Sequence, residues 1–214
     1  MNFASIDFET ANNYSDASIC AAGMAVFEDD KLAESPHWLV RPPKGCGYFW
    51  EDFTECHGLT WFDVQNEPEF SAIAQEILER LTRTDIVIAH NAQFDMRKLR
   101  GTLQHFGIAC PTFDVLCTLK LSRRVWPDLP NHDLKTLAIH IGHEFQHHDA
   151  KADAEAAGRV LLAHVEMLVR RRKAARYAGS VLPSCFQSAS IRVHLRFIFS
   201  AITFAPVASS TPCL

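Results

Sequence analysis

The chain has 214 residues, 48% of them hydrophobic and 21% charged, with a formal net charge of −4. That length and apolar share suit one α/β domain with a substantial buried core. They exclude a membrane protein, since the apolar stretch Phe197 to Val207 is too short and too interrupted to span a bilayer.

In chain order, Asn2 to Glu9 predicts a strand with Phe3, Ile6 and Phe8 as its apolar members, and strands follow near 18–28 and 31–41. The charge on that first strand is not what a secretory leader is expected to carry. An irregular loop then runs from Pro42 to Asn66, followed by a helix near 68–83, a strand near 85–89 and a helix near 93–107. The pattern closes with a strand near 113–118 and helices near 133–142 and 150–173. Two adjacent hairpin-forming strands followed by alternating helix and strand predict a mixed five-stranded sheet flanked by helices, an α/β fold.

Beyond Lys173 the composition changes. Residues 174–214 form a basic extension with no acidic residue and several serines and prolines, expected to be a disordered or partner-docking tail, or out-of-frame coding. All 25 acidic residues lie at or before Glu166, and only 14 of the 21 basic ones precede Arg170, so residues 1–169 carry a net charge of −11. Seven scattered cysteines, with no C-x-x-C among them, fit a reducing cytoplasm.

Three acidic motifs stand in order: D-F-E-T at Asp7 to Thr10, H-N-A-Q-F-D at His90 to Asp95, and H-D-A-K-A-D at His148 to Asp153. Alternate residues of a strand share a face, so Asp7 and Glu9 are neighbours that repel each other. Like charges held that close cost free energy unless a cation lies between them, which points to a bound metal. The run Asp85 to Ala89 reads as a strand buried on both faces, and Asp95 follows just beyond its C-terminal end, where open α/β sheets keep their sites. Asp153 falls in the first turn of the last helix, where the helix dipole favours a carboxylate, with His148 in the loop before it.

This ordered set resembles the DnaQ-like 3′-to-5′ exonucleases of the DEDDh type, the superfamily that includes the proofreading epsilon subunit of bacterial DNA polymerase III. C-H-G-L-T at Cys56 to Thr60 and the stretch from Cys117 to Pro127 are similar to other parts of that family, and the likeness runs to about Lys173. The resemblance implies a ribonuclease H-like fold over residues 1–173 and hydrolysis of phosphodiester bonds at single-stranded 3′ ends, DNA favoured over RNA, with release of 5′-mononucleotides. It implies that Asp7, Glu9 and Asp153 hold the metal that activates water, that Asp7 bridges to a second metal held also by Asp95, and that His148 is the general base. Hard oxygen ligands favour two Mg²⁺ or Mn²⁺ ions over zinc. The resemblance further places Phe8, Thr10, His90, Asn91 and His57 beside the substrate, and it implies single-stranded DNA or RNA and a polymerase or other nucleic-acid-processing protein as partners.

His147 competes with His148 for the base role, but only His148 stands five residues before Asp153; His147 is read as its solvated or outer neighbour. The long loop from Pro42 to Asn66 carries seven aromatic or imidazole rings, and Phe49 and Phe53 are the candidates for stacking on unpaired bases. Arg97, Lys98 and Arg100, or Lys120, Arg123 and Arg124, are local basic patches available to phosphate or to solvent. The crowd of His132, His140, His143, His147 and His148 reads as ordinary surface histidines in preference to a zinc site. Two other functions stand against the exonuclease: a catalytically silent nucleic-acid-binding or polymerase-associated module, which has no use for repelling acids held together, and a ribonuclease H-type endonuclease, which leaves H-x-x-x-x-D unexplained.

Overall fold

The computed structural model describes residues 1–177, with side chains to residue 171. Of the expected tail 174–214, residues 174–177 belong to the last helix, and the rest, including Phe197 to Val207, lies outside the described residues. The elements are β1 (Phe3–Thr10), β2 (Ile19–Glu28), β3 (Lys31–Glu34), β4 (His37–Leu39), α1 (Glu51–His57), α2 (Trp61–Val64), α3 (Phe70–Thr82), β5 (Ile86–Ala89), α4 (Ala92–His105), β6 (Val115–Cys117), α5 (Thr118–Val125), α6 (Leu134–His140) and α7 (Ala150–Tyr177).

The sheet is mixed, with the order β3-β2-β1-β5-β6 and β4 also paired to β2. It therefore has six strands where five were expected, because the run 31–41 breaks at Ser35-Pro36 into β3 and β4. Proline lacks the N–H that a continuous ladder needs. β1 lies antiparallel to β2 and parallel to β5, so it is paired along both edges. It is buried at every position except Asp7 and Glu9.

The two faces of β1 do different work. Ala4, Ile6 and Phe8 belong to the main core with Ile73, Ile77 and Leu81 of α3 and Met96, Leu99 and Leu103 of α4. Phe3 stacks on Phe27 at 4.5 Å, and the Ser5 hydroxyl donates to the Ala154 carbonyl of α7, so Phe3, Ser5, Asp7 and Glu9 share the α7 face. Helix α7 reaches that face because its contact surface is made of small residues: Ala150, Ala154, Ala156, Ala157 and Gly158 are all buried. Gly23, the β2 partner of Asp7, sits so close that a Cβ there would lie 2.0 Å from the Ala150 carbonyl oxygen. A glycine opposite Asp7 is what lets the N-terminus of α7, and with it Asp153, come down beside the strand.

Three short helices went unread in the sequence. The loop 42–66 contains α1 and α2, whose signals are the left-handed Gly58 closing α1 and the capping box between Thr60 and Asp63. Helix α5 begins at the residue after β6 with no loop between, so no turn residue announces it.

Candidate active site

Three elements bring the motif residues together at one end of the sheet. Asp7 and Glu9 come from β1, Asp95 from the first turn of α4, and Asp153 from the first turn of α7. Carboxylate oxygens of Asp7, Glu9 and Asp153 lie within 4.8 Å of one another. Asp95 is 1% exposed and its Oδ1 is buried with no hydrogen-bond partner. A buried carboxylate oxygen without a donor is costly in any fold and leaves an acceptor suited to a cation.

The electrostatics match this crowding. Burial and then the charges of Asp95, Glu9 and Asp153 push the Asp7 carboxyl well above the usual range. Burial, with Asp153 and Asp95 beside it, raises Glu9 to about 8. Asp95 also rises to about 8, chiefly through burial, against the pull of its own backbone N–H and that of Phe8. Asp153 rises by burial, which outweighs its contacts with His147 and His148. Such carboxyls share protons in water, and a divalent cation replaces those protons.

The segment before α7 is tightly arranged. Asp149 caps the helix by accepting the N–H of Ala152 at 2.9 Å. His148 has a left-handed backbone, φ +65°, and its N–H donates to Asp153 Oδ2 at 2.8 Å. The imidazole of His147 reaches the other oxygen, with Nδ1 2.8 Å from Asp153 Oδ1. The two rings stack with centroids 3.8 Å apart, and the Nδ1 of His148 faces Cys56 Sγ at 3.2 Å. Burial and the neighbouring His147 lower the His148 pKa, against the opposing charge of Asp153, so the ring is neutral and able to accept a proton at neutral pH.

The residues expected beside substrate are placed unevenly. Thr10 is 1% exposed, its hydroxyl has no partner, and its carbonyl lies 3.2 Å from His57 Nε2. His57 Nδ1 accepts the N–H of Leu59 at 3.0 Å, so Nε2 carries the proton and donates to Thr10. Both nitrogens of His57 are thus used inside the protein, clamping α1 to the end of β1. Phe8 is a core residue, edge-on to Phe70 at 6.3 Å. His90 Nδ1 lies 3.0 Å from the Thr118 hydroxyl, and burial lowers its pKa to about 4. Asn91 is exposed and left-handed at φ +64°, directly before α4. Phe49 and Phe53 are half-buried, with Trp50 edge-on to Phe53 at 5.9 Å.

Two residues that the sequence did not single out for the site, Cys56 and Asn12, and one that it read only as a surface cation, Lys98, also shape it. Cys56 touches His148 from the neighbouring α1. Asn12 is buried and donates to the carbonyls of Cys46 at 2.8 Å and Tyr48 at 2.7 Å, fixing the aromatic loop to the end of β1. Lys98, read as part of a surface patch, is fully buried: its ammonium donates to the carbonyls of Asn12 at 3.1 Å and Ser15 at 2.7 Å. Its pKa falls to about 8 through burial. Arg97 beside it is engaged by Asn13 and Asp16, so these two cations brace the loop after β1.

The exonuclease family model matches residues 5–161. The chain belongs to that family. Within it, the chain is 32% identical over 170 residues to the 3'-5' exonuclease DinG of Bacillus subtilis (strain 168), covering 78% of this chain and 18% of that protein. It is 37% identical over 115 residues to the PolC-type DNA polymerase III of Oceanobacillus iheyensis, covering 53% of this chain and 8% of that protein. The chain therefore spans less than a fifth of the length of these curated relatives. Among solved structures, the nuclease domain of 3'hExo, a DEDDh family member bound to rAMP, matches with a TM-score of 0.64 at 13% identity, over 77% of this chain and 92% of that one. Exonuclease X in complex with 5' overhanging duplex DNA matches with a TM-score of 0.59 at 20% identity, over 78% and 92%. These two likenesses establish the ribonuclease H-like exonuclease fold, with its mixed sheet flanked by helices. No helix among the described residues is long and apolar enough to cross a membrane.

Proposed function

We propose that this chain is a divalent-metal-dependent 3′-to-5′ exonuclease that shortens single-stranded nucleic acid, DNA in preference to RNA, and releases 5′-mononucleotides. The observation that carries the reading is the convergence of Asp7, Glu9, Asp95 and Asp153, all with raised pKa values, beside a neutral histidine. Its relatives support the same direction of cleavage, since DinG is named for it.

The donor set fits two hard cations. The mutually close oxygens of Asp7, Glu9 and Asp153 suit one ion, and the unpartnered Oδ1 of Asp95, with Asp7, suits a second. Mg²⁺ or Mn²⁺ bound there supplies neutralising charge to the scissile phosphate and lowers the proton affinity of the attacking water. His148 accepts that water's proton, and Nε2 is the nitrogen for it because Nδ1 faces Cys56. Asp153 holds the His148 backbone in place through Oδ2, so base and carboxylate move as one unit. In this reading the buried Thr10 hydroxyl and the exposed Asn91 border the terminal nucleotide, and the aromatic loop offers the following bases Phe49 and, held edge-on by Phe53, Trp50.

The test is incubation of 5′-labelled single-stranded DNA and RNA with the protein in Mg²⁺, Mn²⁺ or chelator, alongside Asp7→Ala and His148→Ala. A ladder that shortens from the 3′ end, absent in chelator and in both variants, supports the proposal. Cleavage that survives Asp7→Ala, or no cleavage of any substrate, refutes it.

A further inference from the structure

The five clustered histidines of the sequence do not meet in one place. His132 Nε2 lies 2.9 Å from the Trp126 carbonyl, His140 packs edge-on to the Trp126 ring, and His143 stacks on Phe145. A different set does meet. His147, His148 and Asp153 each bring one ligand atom within 4.8 Å of the others. Cys56 adds a soft sulfur at the edge of this group, 3.2 Å from His148 Nδ1.

We propose that the two imidazoles and the Asp153 carboxylate form a second metal site, selective for zinc-like transition ions, which overlaps the carboxylate site through Asp153. Imidazole nitrogens favour zinc and its neighbours, whereas magnesium takes oxygens and keeps its waters. Two histidines and one carboxylate are a recognised three-ligand set for zinc with an open fourth position. The trio is preset for this role. All three ligands lie in the short stretch 147–153, held by the left-handed backbone of His148 and its N–H bond to Asp153. An incoming ion displaces the proton shared by His147 Nδ1 and Asp153 Oδ1, now 2.8 Å apart. Metal–ligand bonds near 2.1 Å in a tetrahedron set neighbouring ligand atoms about 3.4 Å apart, so that pair opens by roughly half an ångström. The site is reachable, since the His147 side chain is 31% exposed.

A filled site occupies His148 and Asp153 and so stops cleavage; this inhibition rests on the exonuclease reading above, while the binding itself does not. The experiment is a calorimetric titration of the chelator-stripped full-length protein with zinc chloride in excess Mg²⁺, comparing wild type, His147→Ala and Glu9→Gln. The expected result is a zinc equivalent that His147→Ala removes or weakens by at least about tenfold and that Glu9→Gln leaves in place. Absence of zinc binding, binding unmoved by His147→Ala, or binding lost in Glu9→Gln overturns the proposal. If His147→Ala does not melt as a folded protein, His148→Ala takes its place in the titration. In a parallel cleavage assay wild type and His147→Ala are each compared with their own zinc-free rate, and His147→Ala is expected to need at least about tenfold more zinc for half-inhibition. Zinc bound by the trio without inhibition overturns the blocking role. If no metal supports cleavage by any form, the exonuclease reading fails and the titration alone decides the site.

Discussion

The candidate site joins two regions built in opposite ways. β1 is paired along both edges, buried at all positions but Asp7 and Glu9, and packed against helices on both faces. The segment 42–66 facing it is largely exposed, and α1 within it has no buried residue. It is held by a few separate bonds: Asn12 to Cys46 and Tyr48, Trp50 N–H to the Ala11 carbonyl, and His57 to Thr10. Chemistry that needs fixed charges sits on the rigid part, and contacts that must admit a polymer end sit on the part that opens at low cost.

The strongest way to break this contrast is at Asp7. Asp7→Asn is expected to cut cleavage about a thousandfold or more, because metal binding supplies several kcal/mol of transition-state stabilisation. The same change is expected to stabilise the metal-free fold. Glu9 moves from its ordinary 4.5 to about 8, and Asp95 from 3.8 to about 8. Carboxyls raised in this way keep protons that the unfolded chain has lost, so stability falls as pH rises from about 4 to about 8. Melting curves in chelator should show that decline in wild type, with Mg²⁺ or Asp7→Asn flattening it. A metal-free melting temperature that climbs across this window would show that the carboxylates are not in conflict.

His148→Ala should lower kcat by about 10²–10⁴-fold, the usual range for a general base, without a comparable change in Mg²⁺ requirement. His147→Ala should fall well short of that loss when both are assayed on single-stranded DNA. Equal losses would move the base to His147 or make the stacked pair a single unit.

Gly23→Ala tests whether close approach of α7 creates the site. The added methyl would meet the backbone of Ala150 and Lys151, which has no rotamer to yield. Overpacking of this kind typically costs about 1–3 kcal/mol. The expected result is a clear drop in denaturation midpoint, with weaker Mg²⁺ dependence of whatever folds. Unchanged stability and activity would mean that α7 is not seated where β2 needs a glycine.

Much of the rigid region was legible beforehand and little of the loop was. The motif acids could be placed because strand alternation puts Asp7 and Glu9 on one face, and helix starts locate Asp95 and Asp153. The five-strand count missed a break that Pro36 signals, since a proline inside a long apolar run interrupts the ladder without ending the pattern. Lys98 read as a surface cation because its spacing beside Arg97 and Arg100 is that of a solvated helix face. Its burial depends on three carbonyl and hydroxyl partners from a loop some 80 residues earlier. Contacts made at long range by single hydrogen bonds, such as Cys56 with His148, leave no period or spacing to read.

The smallest expected effect lies in the aromatic loop and bears on the exposed half of the comparison. Trp50 is 40% exposed and its ring is held edge-on to the half-buried Phe53, an arrangement that presents one aromatic face without the entropy loss of a free side chain. Stacking of a base on such a ring is worth about 1–3 kcal/mol. At the low end, Trp50→Ala and Phe53→Ala should each raise KM for single-stranded DNA by about five- to tenfold. kcat and the melting temperature should move little, because α1 contributes no buried residue to the core. The two losses should not add, since Phe53 acts by holding Trp50. A fall in kcat with KM unchanged would instead assign these rings to positioning His148 through Cys56, and the loop would then belong to the catalytic half of the molecule.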